Sequence, residues 1–139
     1  MDITLSETEA ATTAQAPSSR SPMLEISNAM VRLYKEAFGR GPTKARSNFA
    51  GPDTLIVVLE NSMTVSERQL AQAGEQQRVR EGRLILQHLL EDQFRAVVEQ
   101  ALGRRTIAFA GGLDADCDLA IQVFTLESQG HELPSAALA

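Results

Sequence analysis

The pattern of apolar and polar positions begins with a helix at residues 23–38. Apolar side chains recur there at three- and four-residue intervals, as one face of a helix requires. Pro22 suits the first turn of this helix, and Gly39 suits its C-terminal end. The segment 39–42, Gly-Arg-Gly-Pro, prevents the helix from continuing.

Two strands are predicted next. Residues 44–50 alternate between small or apolar side chains and polar ones, which indicates a modest edge strand. Residues 54–60 contain the longest aliphatic run of the chain and form its strongest predicted strand. A Gly-Pro-Asp turn separates the two segments, so we expect them to form a hairpin.

A long helix is predicted over residues 64–102. Thr64 and Glu67 have the spacing of a capping box at its start, and Gly103 suits its end. At 1.5 Å per residue, one continuous helix of this length would span nearly 60 Å, whereas a strand of seven residues spans only about 23 Å. We therefore expect it either to break near Gly74 or Gly82 or to project beyond the sheet.

The second half of this helix carries the apolar stripe that is predicted to face the core. The stripe consists of Val79, Leu86, Leu90, Phe94, Val97 and Ala101, broadened by Ile85, Leu89 and Val98. Two further strands are predicted at residues 106–110 and 119–126, with a turn over residues 111–118 between them.

This order of elements predicts a two-layer α+β domain with the sequence α-β-β-α-β-β. Two hairpins and a right-handed crossover give a four-stranded antiparallel sheet in the order 1-2-4-3, a circular permutation of the ferredoxin-like fold with one long helix. The domain is expected to occupy residues 23–127. Residues 1–22 are polar and rich in Ala, Ser and Thr, so we expect a disordered tail there and a flexible C-terminal tail at 128–139.

The second and fourth strands, predicted to be central, are apolar on both of their faces. Helices can cover only one face of such a sheet. We expect a second copy of the chain to cover the other, which makes the protein a homodimer. Ile56, Val58 and Phe124 are the residues predicted to form this dimer face.

Composition and charge narrow the class of protein. The chain has 139 residues, of which 43% are hydrophobic and 22% charged, as in soluble domains. Its 13 basic and 18 acidic side chains give a net charge of −5, which makes no strong case for nucleic acid as a partner. The lone Cys117 excludes an internal disulfide. The longest aliphatic run, residues 55–59, is far shorter than a membrane span, so we expect a cytoplasmic protein, at most peripheral to a membrane complex.

A basic segment is the best candidate for binding. A glycine-rich turn lies in this segment, and its N–H groups could hold a phosphate or a carboxylate. The predicted binding residues are Arg40, Gly41, Lys44 and Arg46, and the arginines could add directional hydrogen bonds. The segment is therefore a predicted binding site for a partner or an anion. The alternative interpretation is that its charges only lie on a solvated helix face and protect an edge strand from aggregation.

Other chemistry-bearing residues are not predicted to form a catalytic or metal site. Residues 114–118, Asp-Ala-Asp-Cys-Asp, open like a calcium loop, but Leu119 stands where that loop needs glycine, and a turn is the better interpretation. No histidine is placed in the sequence to support Cys117 as a nucleophile, and Glu81 balances the arginines of the long helix. An enzyme that uses Glu81, His88 or an aspartate of residues 114–118 is the third and least favoured hypothesis. We expect a protein that is not an enzyme and that uses no metal or cofactor.

The chain resembles the MpsC-like (YbcI-like) family. The resemblance rests on Gly-Arg-Gly-Pro at 39–42, the strand at 53–60, Thr64 and Glu67, Gly-Arg at 103–104 and the strand end at 124–127, in that order and spacing. It covers residues 23–127. Asn61 departs from a glycine expected in many members, and Leu102 from a threonine.

This largely uncharacterised family is associated with a bacterial sodium-dependent, membrane-potential-generating or bicarbonate-uptake system. The resemblance implies a non-enzymatic accessory or regulatory module, resembling the soluble component of a sodium-linked membrane transport system, with a membrane transport protein as partner. The alternative is a sensor that binds a small anion or a nucleotide at residues 39–46.

Overall fold

The structure is a computed structural model, and it describes residues 21–129. Most of the two predicted tails lies outside these residues. Seven elements follow one another: α1 (Pro22–Phe38), β1 (Lys44–Phe49), β2 (Thr54–Glu60), α2 (Val65–Gln72), α3 (Gln76–Leu102), β3 (Thr106–Asp114) and β4 (Leu119–Leu126).

The four strands form one antiparallel sheet in the order β1-β2-β4-β3. Ser47 of β1 lies opposite Val57 of β2, which lies opposite Gln122 of β4, and Gln122 in turn lies opposite Gly111 of β3. The predicted α+β fold and the predicted strand order 1-2-4-3 are both confirmed.

Helices α1 and α3 pack against one face of the sheet and against each other. The core between these layers is built around four aromatic rings in a row. Tyr34 stacks on Phe94, Phe94 contacts Phe109, and Phe109 contacts Phe124, with ring centroids 5.1 to 5.8 Å apart. Offset and tilted contacts of this kind add to the stabilisation from burying the rings.

Phe124 was predicted on the uncovered face of the sheet, and this prediction is wrong. Its side chain is fully buried in the core and lies opposite Leu55 and Phe109 in the register. Side chains alternate between the two faces of a strand. Because Ile56 lies opposite Val123, the odd-numbered positions of β4 share its face, and Phe124 turns towards the helices.

The long helical segment breaks at Gly74 and not at Gly82. α2 ends at Gln72, Gly74 adopts a positive φ of 88°, and α3 begins at Gln76. A left-handed residue is common where a helix ends, and glycine adopts it without steric cost. Gly82 remains inside α3.

The orientation of α3 differs from the sequence-based expectation. The buried positions of this helix include two polar residues, Arg83 and Gln87, beside Val79, Phe94 and Val98. Leu86, predicted to lie in the buried stripe, and Ile85 and Leu89, predicted to broaden it, are instead exposed. The helix therefore presents two polar side chains to the core beside its apolar ones, and it leaves part of its apolar surface exposed.

Strand β3 is longer than predicted. It continues through Gly111 and Gly112 to Asp114, paired with β4, and only residues 115–118 form the turn. A Cβ atom at Gly111 would lie 2.9 Å from the side chain of Gln87, so glycine here accommodates α3 and does not mark a turn.

The helix ends follow the sequence signals. Ser21 accepts a hydrogen bond from the N–H of Met23, Gly39 closes α1 with a φ of 84°, and Thr64 and Glu67 form the predicted capping box of α2. Asn61 adopts a φ of 62°. Asparagine and glycine both tolerate this left-handed conformation, which explains how asparagine replaces the glycine expected there.

Candidate functional site

Within residues 21–129, no element covers the face of the sheet opposite the helices, and this uncovered face is apolar at its centre. Ile56 and Val58 of β2 lie beside Val123 and Ile121 of β4 on this face. Ile121 and its neighbour Leu119 are each 39% exposed. Both strands are central in the sheet, so this apolar surface is two strands wide and lies in the middle of the face. Such a surface on a small domain marks an interaction site.

Strand β1 adds positive charge to the same face. Arg46 lies opposite Val58, and Lys44 lies opposite Glu60, so both cationic side chains belong to the uncovered face. The guanidinium of Arg46 donates to Glu60 Oε2 over 2.7 Å at an exposed position. Two of the predicted binding residues thus lie beside two of the predicted dimer residues, and we call Lys44 and Arg46 the basic rim.

Arg40 and Gly41 serve a different purpose. The half-buried guanidinium of Arg40 donates to the carbonyl oxygens of Asn61 (2.9 Å) and Met63 (2.7 Å). A Cβ atom at Gly41 would lie 2.9 Å from the carbonyl oxygen of Val31. These two residues fix the turn after α1 against neighbouring backbone. The structure therefore does not join all four predicted binding residues in one site.

A buried charge network lies where β2 leads into α2. Arg83 is only 2% exposed and donates to both carboxylate oxygens of Glu67 over 2.7 Å and to the carbonyl oxygen of Ser62. Its guanidinium carbon lies 4.3 Å from the ring centroid of Phe38, a cation–π distance. Burial raises the pKa of the Glu67 carboxyl, but the hydrogen bonds from Arg83 and from the Thr64 N–H outweigh it, so the pKa lies below its usual value.

Asp118 connects the final turn to the same junction. Its carboxylate accepts hydrogen bonds from the N–H groups of Ser62 (2.9 Å) and Met63 (3.1 Å), and it pairs with Arg68. Sequence analysis treated Asp118 as one of several turn residues and missed this contact. Asp118 has a positive φ of 53°, and the sequence of the turn does not predict this conformation.

The rest of the 114–118 segment behaves as the predicted turn. Asp114 Oδ1 accepts from the N–H groups of Asp116 (3.0 Å) and Cys117 (2.9 Å), and these bonds hold the pKa of Asp114 below its usual value. Within residues 21–129 no group of three or more His, Cys, Asp or Glu side chains could hold a metal ion.

An open cleft of about 530 Å³ lies between α2 and this turn. Its wall combines polar side chains from three separate segments of the chain. These are Asn61, Arg68, Gln72, Gln76, Asp116 and Asp118. Since Arg68 already contacts Asn61 and Asp118, the cleft offers a mixed polar wall and no concentrated charge.

The residues considered for catalysis lie at separate exposed positions. His88 and Glu81 are exposed on α3, and Glu81 accepts a hydrogen bond from Gln77. Cys117 is exposed in the β3–β4 turn. The fold does not bring these three side chains into one site.

Comparison with known proteins gives one result of direct use. The family model described as "Na+-translocating membrane potential-generating system (MpsC)" matches residues 21–128, nearly all of the described part of the chain. Searches of curated proteins and of solved structures gave no match. Among residues 21–129 no helix is long and apolar enough to cross a membrane.

Proposed function

The chain belongs to the MpsC family, and on this premise we propose that it is a non-enzymatic accessory or regulatory component of a Na⁺-translocating system that generates membrane potential. The family description links the chain to a membrane system, and the described residues contain no helix that could span a membrane. A domain of this kind acts on such a system by binding to one of its membrane subunits.

The uncovered sheet face is the observation that carries this proposal. Its centre, around Ile56 and Val58, is apolar, and self-association of two copies would remove it from water, which favours a homodimer. A two-fold symmetric contact of this kind uses the same patch on both copies.

The basic rim supplies the contact to the partner in this proposal. Lys44 is exposed. Arg46 forms an exposed ion pair with Glu60, and binding to a partner would need to break only this pair. An acidic surface on the membrane partner complements this rim, although the chain as a whole carries a net charge of −5. Charge complementarity of this kind increases the specificity for the partner and the rate of association.

The test measures Na⁺-dependent membrane potential in the native cells with the gene deleted. A voltage-sensitive dye reports the potential while a protonophore removes the contribution of proton pumps. We expect the wild-type gene to restore the potential and Lys44→Glu/Arg46→Glu to fail. The matched control, Arg32→Glu/Arg105→Glu, reverses two exposed cations elsewhere and should restore it.

Crosslinked pull-down from the same strains identifies the contact. The wild-type chain and the control should enrich a membrane subunit of the Na⁺ system, and the basic-rim variant should not. If deletion leaves the Na⁺-dependent potential unchanged, the proposal is wrong. If the rim variant restores the potential fully, the partner contact lies elsewhere on the domain.

An anion or nucleotide sensor at residues 39–46 is the alternative proposal. It would rely on Lys44 and Arg46, since Arg40 is engaged with backbone carbonyl groups. Melting temperatures measured with bicarbonate, phosphate and nucleotides would test it. A ligand-induced increase that disappears in Lys44→Ala/Arg46→Ala would favour the sensor over the accessory component.

A further inference from the structure

The outer side of α3 carries an apolar stripe that the domain itself does not cover. Four residues share this side of the helix because they follow the spacing i, i+3, i+4, i+7. They are Gly82, Ile85, Leu86 and Leu89. Ile85 is 63% exposed and Leu89 is 68% exposed, whereas the core side of the same helix contains the buried Arg83. A helix that packs only against its own core keeps its large apolar side chains on the core side, so this second apolar side is unexplained by the core.

Gly82 points to a second helix as the occupant of this stripe. A Cβ atom at this position would meet no heavy atom within 4 Å, so the fold of the described residues does not require glycine there. Glycine inside a helix is unfavourable relative to alanine. It allows close approach of another helix, because the distance between packed helices depends on the side chains at their contact.

The charges at the ends of the stripe indicate how two helices would be oriented. Arg78 lies at the N-terminal end; its side chain is 77% exposed and pairs over 3.1 Å with Glu75, which directly precedes the helix. The exposed Asp92 lies at the C-terminal end. An antiparallel pair of identical stripes places each arginine beside an aspartate. A parallel pair would place like charges together, and it would align the two helix dipoles unfavourably.

We propose that the outer stripe of α3 packs antiparallel against the same stripe of a second copy of this chain. A two-fold axis near Ile85 and Leu86 places Leu89 of each copy over Gly82 of the other. The same register brings Arg78 of each copy within reach of Asp92 of the other. The contact lies on the helix layer, opposite the uncovered sheet face, so it does not depend on the proposed function. Together with the sheet-face contact it would join the proposed dimers into larger assemblies.

Disulfide formation between copies tests both the contact and its direction. In a Cys117→Ser background, Ile85→Cys lies next to the two-fold axis and should give a disulfide-linked dimer under mild oxidation. The matched control is Ala96→Cys, which is also exposed on α3. In the antiparallel register its two copies lie about 30 Å apart at 1.5 Å per residue, so it should not crosslink. Equal crosslinking of both variants, or of neither, overturns the inference.

A charge exchange measures the same contact without a covalent bond. The background is Val58→Asp, which disrupts the sheet face and leaves the α3 contact as the one that remains. Sedimentation over a range of concentrations should show a dimer, and Arg78→Asp should weaken it about tenfold, as the loss of two symmetric ion pairs implies. Adding Asp92→Arg to that variant should restore the affinity. A Val58→Asp chain that stays monomeric at every concentration, or a double exchange that does not restore the dimer, overturns the inference.

The Ile85→Asp variant distinguishes the two proposed self-association surfaces, the sheet face and the outer stripe of α3. If the chain with wild-type Val58 becomes monomeric on Ile85→Asp alone, the sheet-face dimer is wrong and the α3 contact stands. If Ile85→Asp leaves the assembly unchanged, the α3 contact is wrong whatever the sheet face does. All of these α3 positions are exposed, so circular dichroism and the melting temperature should confirm that each variant folds as the wild-type chain does.

Discussion

Arg83 of α3 donates two hydrogen bonds of 2.7 Å to the carboxylate of Glu67 at the start of α2. Glu67 also closes the capping box with Thr64, and Arg83 also holds the carbonyl oxygen of Ser62. One ion pair therefore fixes the N-terminus of α2, the end of β2 and the orientation of α3. These three segments of the chain meet at this ion pair.

Removing one charge of this pair should strongly destabilise the domain. Glu67→Gln leaves the buried guanidinium of Arg83 without its counter-charge, and we expect the free energy of unfolding in urea to fall by about 3 kcal/mol. The matched control is Glu91→Gln, which breaks the half-exposed pair with Arg95 within α3 and should cost about 0.5 kcal/mol or less. Equal costs for the two variants would contradict the central role of Glu67.

Acid should destabilise the domain through the same carboxylate. The pKa of Glu67 in the folded domain lies below its ordinary value of 4.5, so the folded state binds fewer protons than the unfolded state near that pH. The stabilisation is complete above the unfolded pKa and is lost as the pH falls through the lower folded pKa. Glu99, whose pKa is lowered by hydrogen bonds from the Thr106 hydroxyl and N–H, contributes in the same direction.

Unfolding midpoints in urea between about pH 6 and pH 3 would measure this dependence. The wild-type midpoint should decrease with falling pH over the lower part of this range, and Glu67→Gln should show a shallower decrease. An unchanged slope in the variant would mean that Glu67 does not contribute to the acid sensitivity.

Gly41 should be intolerant of even a methyl group. In Gly41→Ala the new Cβ would lie 2.9 Å from the carbonyl oxygen and 3.1 Å from Cγ1 of Val31, so the turn would have to shift away from α1. We expect a loss of about 1–3 kcal/mol in the free energy of unfolding. Gly112→Ala is the control, because its Cβ would meet nothing within 4 Å, and its melting temperature should match that of the wild-type chain.

Arg40 should matter for stability more than the basic rim does. Arg40→Ala leaves the carbonyl oxygens of Asn61 and Met63 without their charged donor, which should cost about 1.5–3 kcal/mol in chemical unfolding. Arg46→Ala breaks only an exposed ion pair with Glu60 and should cost no more than about 1 kcal/mol. A larger loss for Arg46→Ala than for Arg40→Ala would reverse these assignments.

Part of the candidate site could be predicted from the sequence. The basic segment after α1 identified Lys44 and Arg46, the apolar residues on both faces of β2 identified Ile56 and Val58, and the register places all four on the uncovered face. Phe124 was assigned to that face incorrectly, because β4 is apolar at odd and even positions alike and its sequence does not show which set faces the helices.

The sequence by itself determined the types of element, most of their ends and the order of the strands. Helical and alternating periodicities, glycines in left-handed conformations and the Thr64–Glu67 capping box act within a few residues, so they can be identified along the chain. Short connections and a right-handed crossover then leave few sheet orders to choose from, and the predicted order is the observed one.

Only the tertiary structure decided which side of α3 faces the core. This helix is apolar on more than one side, and the buried side contains Arg83, whose burial is favourable only because Glu67 and Ser62 arrive from elsewhere in the chain to satisfy its charge and its N–H groups. The helix orientation that buries Arg83 also leaves Ile85 and Leu89 exposed. Local periodicity contains no information about such distant partners, so the orientation of the helix, and with it both apolar surfaces, depends on the assembled fold.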